Sequence, residues 1–205
     1  MPPMKWLKIA LVVLAVALVG VICWQVVRPS DEPVYKGRTL TSWLENYARV
    51  PLDGYIRQEH ETDMAVSQIG TNAVPTLLRL LHKKDSAFKV KLMALLARQH
   101  VITVDYTPAE DWNKAALVGV QVLETNAQTA VPDLIEFAKQ DTSPSSQYIA
   151  IASLGYIGPQ AKQAVPYLLQ WATNRTLKRF AIPSLWRIDP EAAVKAGITI
   201  TNTVP

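Results

Sequence analysis

The chain has 205 residues, 49% apolar and 19% charged, which is too apolar for a disordered or fibrous polypeptide and enough for one or two modest domains. Most of its +4 net charge sits in the first thirty residues, where Lys5, Lys8 and Arg28 stand without an acid; residues 31–205 hold 18 basic and 17 acidic side chains, so no nucleic-acid partner is expected. The single cysteine, Cys23, excludes an intramolecular disulfide and any cysteine-cluster metal site.

Residues 9–27 carry no charge and are apolar except for Gly20 and Gln25. At about 1.5 Å per residue, a helix over this stretch spans about 28 Å, close to the hydrocarbon thickness of about 30 Å. Trp6 and Trp24 would then lie about 27 Å apart, at the two membrane interfaces. A cleaved secretory signal is the competing reading, because Lys5 and Lys8 form a charged region ahead of an apolar one. Val21, Ile22 and Trp24 are too bulky for a cleavage site, and Ile22 stands where a lipoprotein signal carries a small residue before its cysteine. The expectation is an uncleaved anchor over residues 1–28, with Met1 retained and Cys23 unlipidated. Basic residues on the two flanks nearly balance, Lys5 and Lys8 against Arg28, Lys36 and Arg38. Handling by the export route favours N-in, C-out, with the domain in the periplasm of a bacterial inner membrane.

Residues 29–38, with Pro29 and Pro33, are expected to form an extended linker. Residues 39–56 form a capping segment in which Leu40, Trp43, Leu44 and Tyr47 fall at helical spacing, with Thr39 or Thr41 as N-cap. The body follows over residues 57–197, with a tail over 198–205.

The body repeats. Ala73-Val74-Pro75-Thr76-Leu77-Leu78 recurs as Ala130-Val131-Pro132-Asp133-Leu134-Ile135 and as Ala164-Val165-Pro166-Tyr167-Leu168-Leu169. Proline is accepted in the first turn of a helix and not in its interior, so each copy marks a helix start. Upstream, Gln68-Ile69-Gly70 and Tyr156-Ile157-Gly158-Pro159 share a helix-ending glycine, with Arg187-Ile188-Asp189-Pro190 as a variant. The unit is helix, tight turn, helix. Pro132 and Pro166 are 34 residues apart, but Pro75 and Pro132 are 57 apart, so an irregular unit fills the gap. There, residues 85–99 read as a helix offering Val90, Met93, Ala94, Leu96 and Ala97 for burial. The β-branched run 101–106 reads as an extended connection, and Pro108 with Glu110 and Asp111 opens the next helix.

The pattern Ile-Gly-Pro-x-Ala-x-x-Ala-Val-Pro-x-Leu-Leu over residues 157–169 resembles the bacterial HEAT-repeat family. The resemblance covers residues 61 to about 193. Together with the anchor, the Tyr35-Lys36-Gly37-Arg38-Thr39-Leu40 segment and the tryptophan helix, it is similar to membrane-anchored HEAT-repeat proteins of Verrucomicrobia-like bacteria. It implies an all-α, right-handed α-solenoid of helix pairs preceded by one N-terminal transmembrane helix. The family's Asp and Arg ladder is incomplete: Asp141 fits, Gln147 stands where Arg is usual, and Asn174 replaces Asp while Arg179 remains. A tetratricopeptide array shares the period, but its Trp-Leu-Gly-Tyr pattern is absent.

Residues for chemistry are sparse. His60, His82 and His100 have no partner at ligand spacing, and His60 makes a lone His-Glu pair of a kind that HEAT-like hydroxylases use in multiples. No P-loop, dinucleotide-binding glycine motif, nucleophile elbow or zincin motif occurs. No catalytic, cofactor or metal residues are assigned.

A surface remains. The resemblance implies that second helices line a concave face, on which positions counted from each repeat proline form rows. The next position reads Thr76, Asp133, Tyr167; four on reads Arg79, Glu136, Gln170; five on reads Leu80, Phe137, Trp171. The last row suits either a peptide ligand or packing between neighbouring helices. Function is expected to be non-catalytic binding of a protein or peptide, or scaffolding, at the membrane, with an enzyme of lyase or hydroxylase type on the same scaffold as the alternative. Pro183 lies inside the first helix of the final unit, which should kink or break there. A reduced helix from Pro190 should end at Gly197, with residues 198–205 largely unpacked.

Overall fold

A computed structural model describes Val13 and residues 31–49, 60–98, 106–140 and 143–199. The chain divides into two compact units, Met1–Asp31 and Glu32–Pro205. The expected anchor over 9–27, with Trp6 and Trp24, lies outside the described residues except for Val13, which is helical. Among the described residues no helix is long and apolar enough to cross a membrane.

Among its described residues the second unit is helical apart from turns and one small hairpin, which replaces part of the extended linker expected over 29–38. Strands β1 (Val34–Tyr35) and β2 (Arg38–Thr39) pair antiparallel, Val34 opposite Thr39 and Tyr35 opposite Arg38. Lys36 and Gly37 connect them with φ of 49° and 74°, the doubly positive conformation that matches a two-residue turn to the twist of its strands. Helix α1 (Leu40–Arg49) follows at once, and Thr39 Oγ1 accepts from the Ser42 N–H at 3.3 Å as its cap. It buries Leu40, Trp43, Leu44 and Tyr47, the four residues its spacing marks. Trp43 also donates its Nε1–H to the Tyr35 carbonyl at 3.1 Å and carries the Arg38 guanidinium 4.0 Å above its ring, which fastens the hairpin to the helix.

The repeat motifs fold alike. Helix α2 (His60–Ile69), a 3-10 turn (Gly70–Ala73) and α3 (Val74–Leu81) form the first copy. After α4 (Ala87–Ala97), the second copy is α5 (Ala109–Leu123), a 3-10 segment (Glu124–Ala130) and α6 (Val131–Lys139). The third is α7 (Pro144–Ile157), a 3-10 segment (Gly158–Ala164) and α8 (Val165–Ala172). Pro75, Pro132 and Pro166 each stand second in their helix, where the missing N–H has no intrahelical acceptor to lose.

The three 3-10 segments stack on one another in chain order, as do α5, α7 and α9 (Lys178–Ile188). Close pairings also join the second helix of one copy to the first of the next, α3 with α5, α6 with α7 and α8 with α9, and α1 packs on α5. The two helices within a copy touch only sparsely. One continuous core results, running from Leu40 and Leu44 through Leu77, Leu123, Leu134 and Leu154 to Leu185.

Helix α4 departs from expectation. Among its described side chains none is buried; Phe88 is 75% exposed, Leu95 53% and Val90 50%, while Met93 and Leu96 are half-buried and Ala94 is exposed. The physical reason is that α3 and α5 pack directly against each other, so the helix between them in sequence has no place in the stack.

Helix α9 runs through Pro183 without the break that is one of the two expected outcomes. Pro183 and Arg179 are both on the exposed side, so the carbonyl four residues earlier that loses its partner faces water. The reduced helix α10 (Pro190–Lys195) is as expected: Asp189 caps it by accepting from the Ala192 N–H at 3.0 Å. Gly197 ends it, its N–H on the Val194 carbonyl and that of Ile198 on the Ala193 carbonyl. Ile198 is half-buried against the core rather than part of a loose tail; residues 200–205 lie outside the described ones.

Candidate functional site

The structure separates the proline-counted rows. Leu80, Phe137 and Trp171 are buried at 1%, 2% and 8% exposure, so the aromatic row is core and not a ligand platform. Thr76 is buried as well. Asp133, Glu136 and Gln170 are exposed and Tyr167 is half-buried. Arg79 is exposed but engaged, its guanidinium bonded to the Glu32 carboxylate. Glu32 also accepts from the Thr41 N–H at 3.2 Å and the Thr41 hydroxyl at 2.8 Å, so Arg79 locks the N-terminal cap onto α3.

The remaining side chains form a linked strip across the three second helices. His82, at the end of α3, stacks on Phe137 of α6 with ring centroids 4.3 Å apart and 19° between planes. Lys139 at the end of α6 donates to Glu136 at 3.0 Å and lies 5.4 Å from the Tyr167 ring of α8. The hydrogen bond to Glu136 and that carboxylate's charge raise the Lys139 pKa. Tyr167 in turn leans on Trp171, centroids 6.0 Å apart. The buried row thus supports an exposed row of mixed charge and one phenol.

A second feature is a cleft of about 630 Å3 between the α3–α4 loop, the start of α5 and the start of α7, with Lys83, Asp85, Tyr106, Asn113 and Ser146 among its walls. Its polar groups are largely committed to the fold. Asp85 accepts from the Ala109 N–H at 2.6 Å and from Lys89 Nζ at 2.9 Å, and it binds the Tyr106 hydroxyl. Burial opposes its ionisation, but these donors prevail and hold the carboxyl at about 2, while the same contact pushes the Tyr106 phenol up to about 12. Asn113 donates its amide to the carbonyls of Leu80 at 2.7 Å, Leu81 at 3.0 Å and Lys83 at 3.2 Å, capping the end of α3. Desolvation, joined by repulsion from Lys89 and Arg79, lowers the Lys83 pKa against the pull of Asp85. Asp85 and Asn113 therefore tie α3 to α5 across the irregular segment.

Sequence reasoning missed both ties. A carboxylate before a helix is ordinarily read as the cap of its own helix, whereas Asp85 caps one that starts 24 residues later. His60 is exposed, and among the described residues no group of three or more His, Cys, Asp or Glu side chains could hold a metal. His100 lies outside the described residues, as does Asp141. Gln147, standing at the expected arginine, donates to the Ala138 carbonyl at 3.2 Å, and Asn174 Oδ1 accepts from the N–H groups of Thr176 and Leu177. Gln147 and Asn174 thus both bond to backbone groups, Gln147 joining α7 to α6.

No family model matches the sequence, and neither a curated protein nor a solved structure matches it.

Proposed function

We propose that this protein is a membrane-tethered binding or scaffold module: a short, right-handed HEAT-like solenoid that presents its second helices to a protein or peptide partner. Residues 9–27 hold it in a bacterial inner membrane as an uncleaved single span, with the body in the periplasm. One observation carries the reading. The exposed Arg79, Glu136 and Gln170 recur at one position of α3, α6 and α8, while the exposed His82 stacks on the buried Phe137 and Lys139 lies over the half-buried Tyr167 ring, so polar side chains stand above an apolar base. Such an arrangement matches the polar rim and aromatic anchors of protein interfaces.

The test is affinity capture with full-length protein in detergent, comparing wild type with a chain carrying Asp133→Lys, Glu136→Lys and Tyr167→Ala. All three positions are exposed or half-buried, so the variant should fold. A partner retained by wild type and lost by the variant supports the reading; equal capture by both contradicts it. The anchor is tested separately by alkaline carbonate extraction, in which full-length chain beginning at Met1 should remain with the membrane. A mature protein starting at or after Cys23 contradicts it.

A further inference from the structure

Helix α4 is the part of the described chain that the fold leaves uncovered. Its sequence, AFKVKLMALLA, is mostly apolar, yet none of its described side chains is buried and it makes only sparse contact with other helices. At about 100° per residue, Phe88, Leu92 and Leu95 fall within an arc of about 60° on one face. All three are exposed, as are Lys91 and Arg98 on one flank of that arc and Lys84 ahead of the helix. The face turned toward the body is different: Lys89, Met93 and Leu96 are half-buried, and Lys89 is held by Asp85 and the Tyr106 ring. The helix thus rests on one side, and its exposed apolar stripe lies about 100° around from that side, with Lys91 on its outer flank.

Charge indicates what covers the stripe. Residues 83–98 contain Lys83, Lys84, Lys89, Lys91 and Arg98 against Asp85 alone, a net charge of +4, whereas all of residues 31–205 sum to +1. The remainder of the body is therefore net −3, so the segment that carries the exposed apolar side chains of α4 is also the one that gives the body its net positive charge. Exposed phenylalanine and leucine beside exposed lysine suit contact with a lipid–water interface, apolar side chains among acyl chains and cations at the headgroups.

We infer that α4 docks the body onto an anionic lipid bilayer through Phe88, Leu92 and Leu95, steered by Lys84 and Lys91. The inference rests on the proposed anchor only for proximity. Glu32 follows residue 27 by five residues, a reach of at most about 18 Å when fully extended, so the proposed anchor would limit how far the body can stray from a bilayer.

The experiment uses the full chain with Cys23→Ser and Leu95→Cys, labelled at residue 95 with the polarity-sensitive fluorophore NBD. It is reconstituted in vesicles of phosphatidylcholine alone or mixed equally with phosphatidylglycerol, each containing acyl-chain spin-label quencher. The same label at Val194→Cys, an exposed position on α10, is the reference. The expected result is a blue shift and loss of most emission at residue 95 in anionic vesicles only, no change at residue 194, and abolition of the effect by Lys84→Glu with Lys91→Glu. Equal emission in the two vesicle types overturns the proposal, as does quenching that survives the charge reversal. Shielding that appears in neutral vesicles and grows with protein density also overturns it, assigning the stripe to a second copy. Carbonate extraction of both charge forms separates the two ideas: release of both sinks the anchor, while the signal at residue 95 still decides α4.

Discussion

Helices α4 and α7 are both rich in apolar residues, and they meet opposite fates. Helix α7 buries Ile149, Ala150, Ile151, Ser153, Leu154, Gly155 and Ile157, because α5, α6 and α9 all pack on it. Helix α4 has no such neighbours, because α3 and α5 close against each other without it. Composition alone does not decide burial; position in the stack does. A helix excluded from the stack keeps its apolar residues for another solvent, and the cations around α4 suit that solvent being lipid.

The largest expected effect comes from making one substitution in both helices. Leu154 is fully buried, so Leu154→Ala should cost about 3 kcal/mol through lost transfer energy and the cavity left behind. Leu95→Ala should stay within about 0.5 kcal/mol, as exposed substitutions do. Urea denaturation of the detergent-solubilised chain measures both, and equal losses would mean that α4 belongs to the core.

Close packing around α7 gives the next effect. A Cβ on Gly155 would lie 2.6 Å from Ser184 Oγ and 3.0 Å from Ser184 Cα, the backbone of α9. Gly155→Ala should therefore push α9 away and cost about 2 kcal/mol. At Gly119 of α5 the obstacle at 2.6 Å is the tip of the Leu77 side chain, which can rotate aside, so Gly119→Ala should cost about 1 kcal/mol or less. Thermal denaturation should rank them in that order.

A stabilising change is expected at Glu124. This residue stands eight before Pro132, as Gly158 stands eight before Pro166, and adopts φ 49°, ψ −126° against φ 73°, ψ −143° for Gly158. That region is open to glycine and strained for any residue with a Cβ. Glu124→Gly should raise stability by about 1 kcal/mol, read as a higher urea midpoint.

The smallest effect concerns the tie beneath α4. The Asp85 carboxyl is held at about 2 in the folded protein and titrates near 3.9 when unfolded, so its contribution is complete above about pH 4 and disappears as pH falls through about 2. Solvent screening limits it to about 1 kcal/mol. Asp85→Asn should be less stable than wild type at pH 6, and the difference should shrink at pH 3. A difference independent of pH would remove the ion from the explanation.

What the sequence disclosed follows the same contrast. Pro75, Pro132 and Pro166 announced α3, α6 and α8 because proline has one tolerated place in a helix, and the spacing of Leu40, Trp43, Leu44 and Tyr47 announced α1. Gly158 announced the turn between α7 and α8, but Glu124 concealed the equivalent turn because no rule of composition expects a glutamate there. The fate of the Leu80, Phe137 and Trp171 row was undecidable from spacing, since a half-exposed and a packed position on a second helix share one period. The exclusion of α4 and the long reach of Asp85 to Ala109 depend on contacts distant in sequence, which local pattern does not encode.

Hydrogen exchange in the two helices at once tests the account most directly. The full chain in phosphatidylcholine vesicles should show amides of residues 87–97 exchanging far faster than those of residues 149–157. Adding phosphatidylglycerol should slow the first set and leave the second unchanged. Protection of residues 87–97 equal to that of α7 in neutral vesicles, or exchange indifferent to anionic lipid, would contradict the claim that α4 stands outside the stack to meet a bilayer.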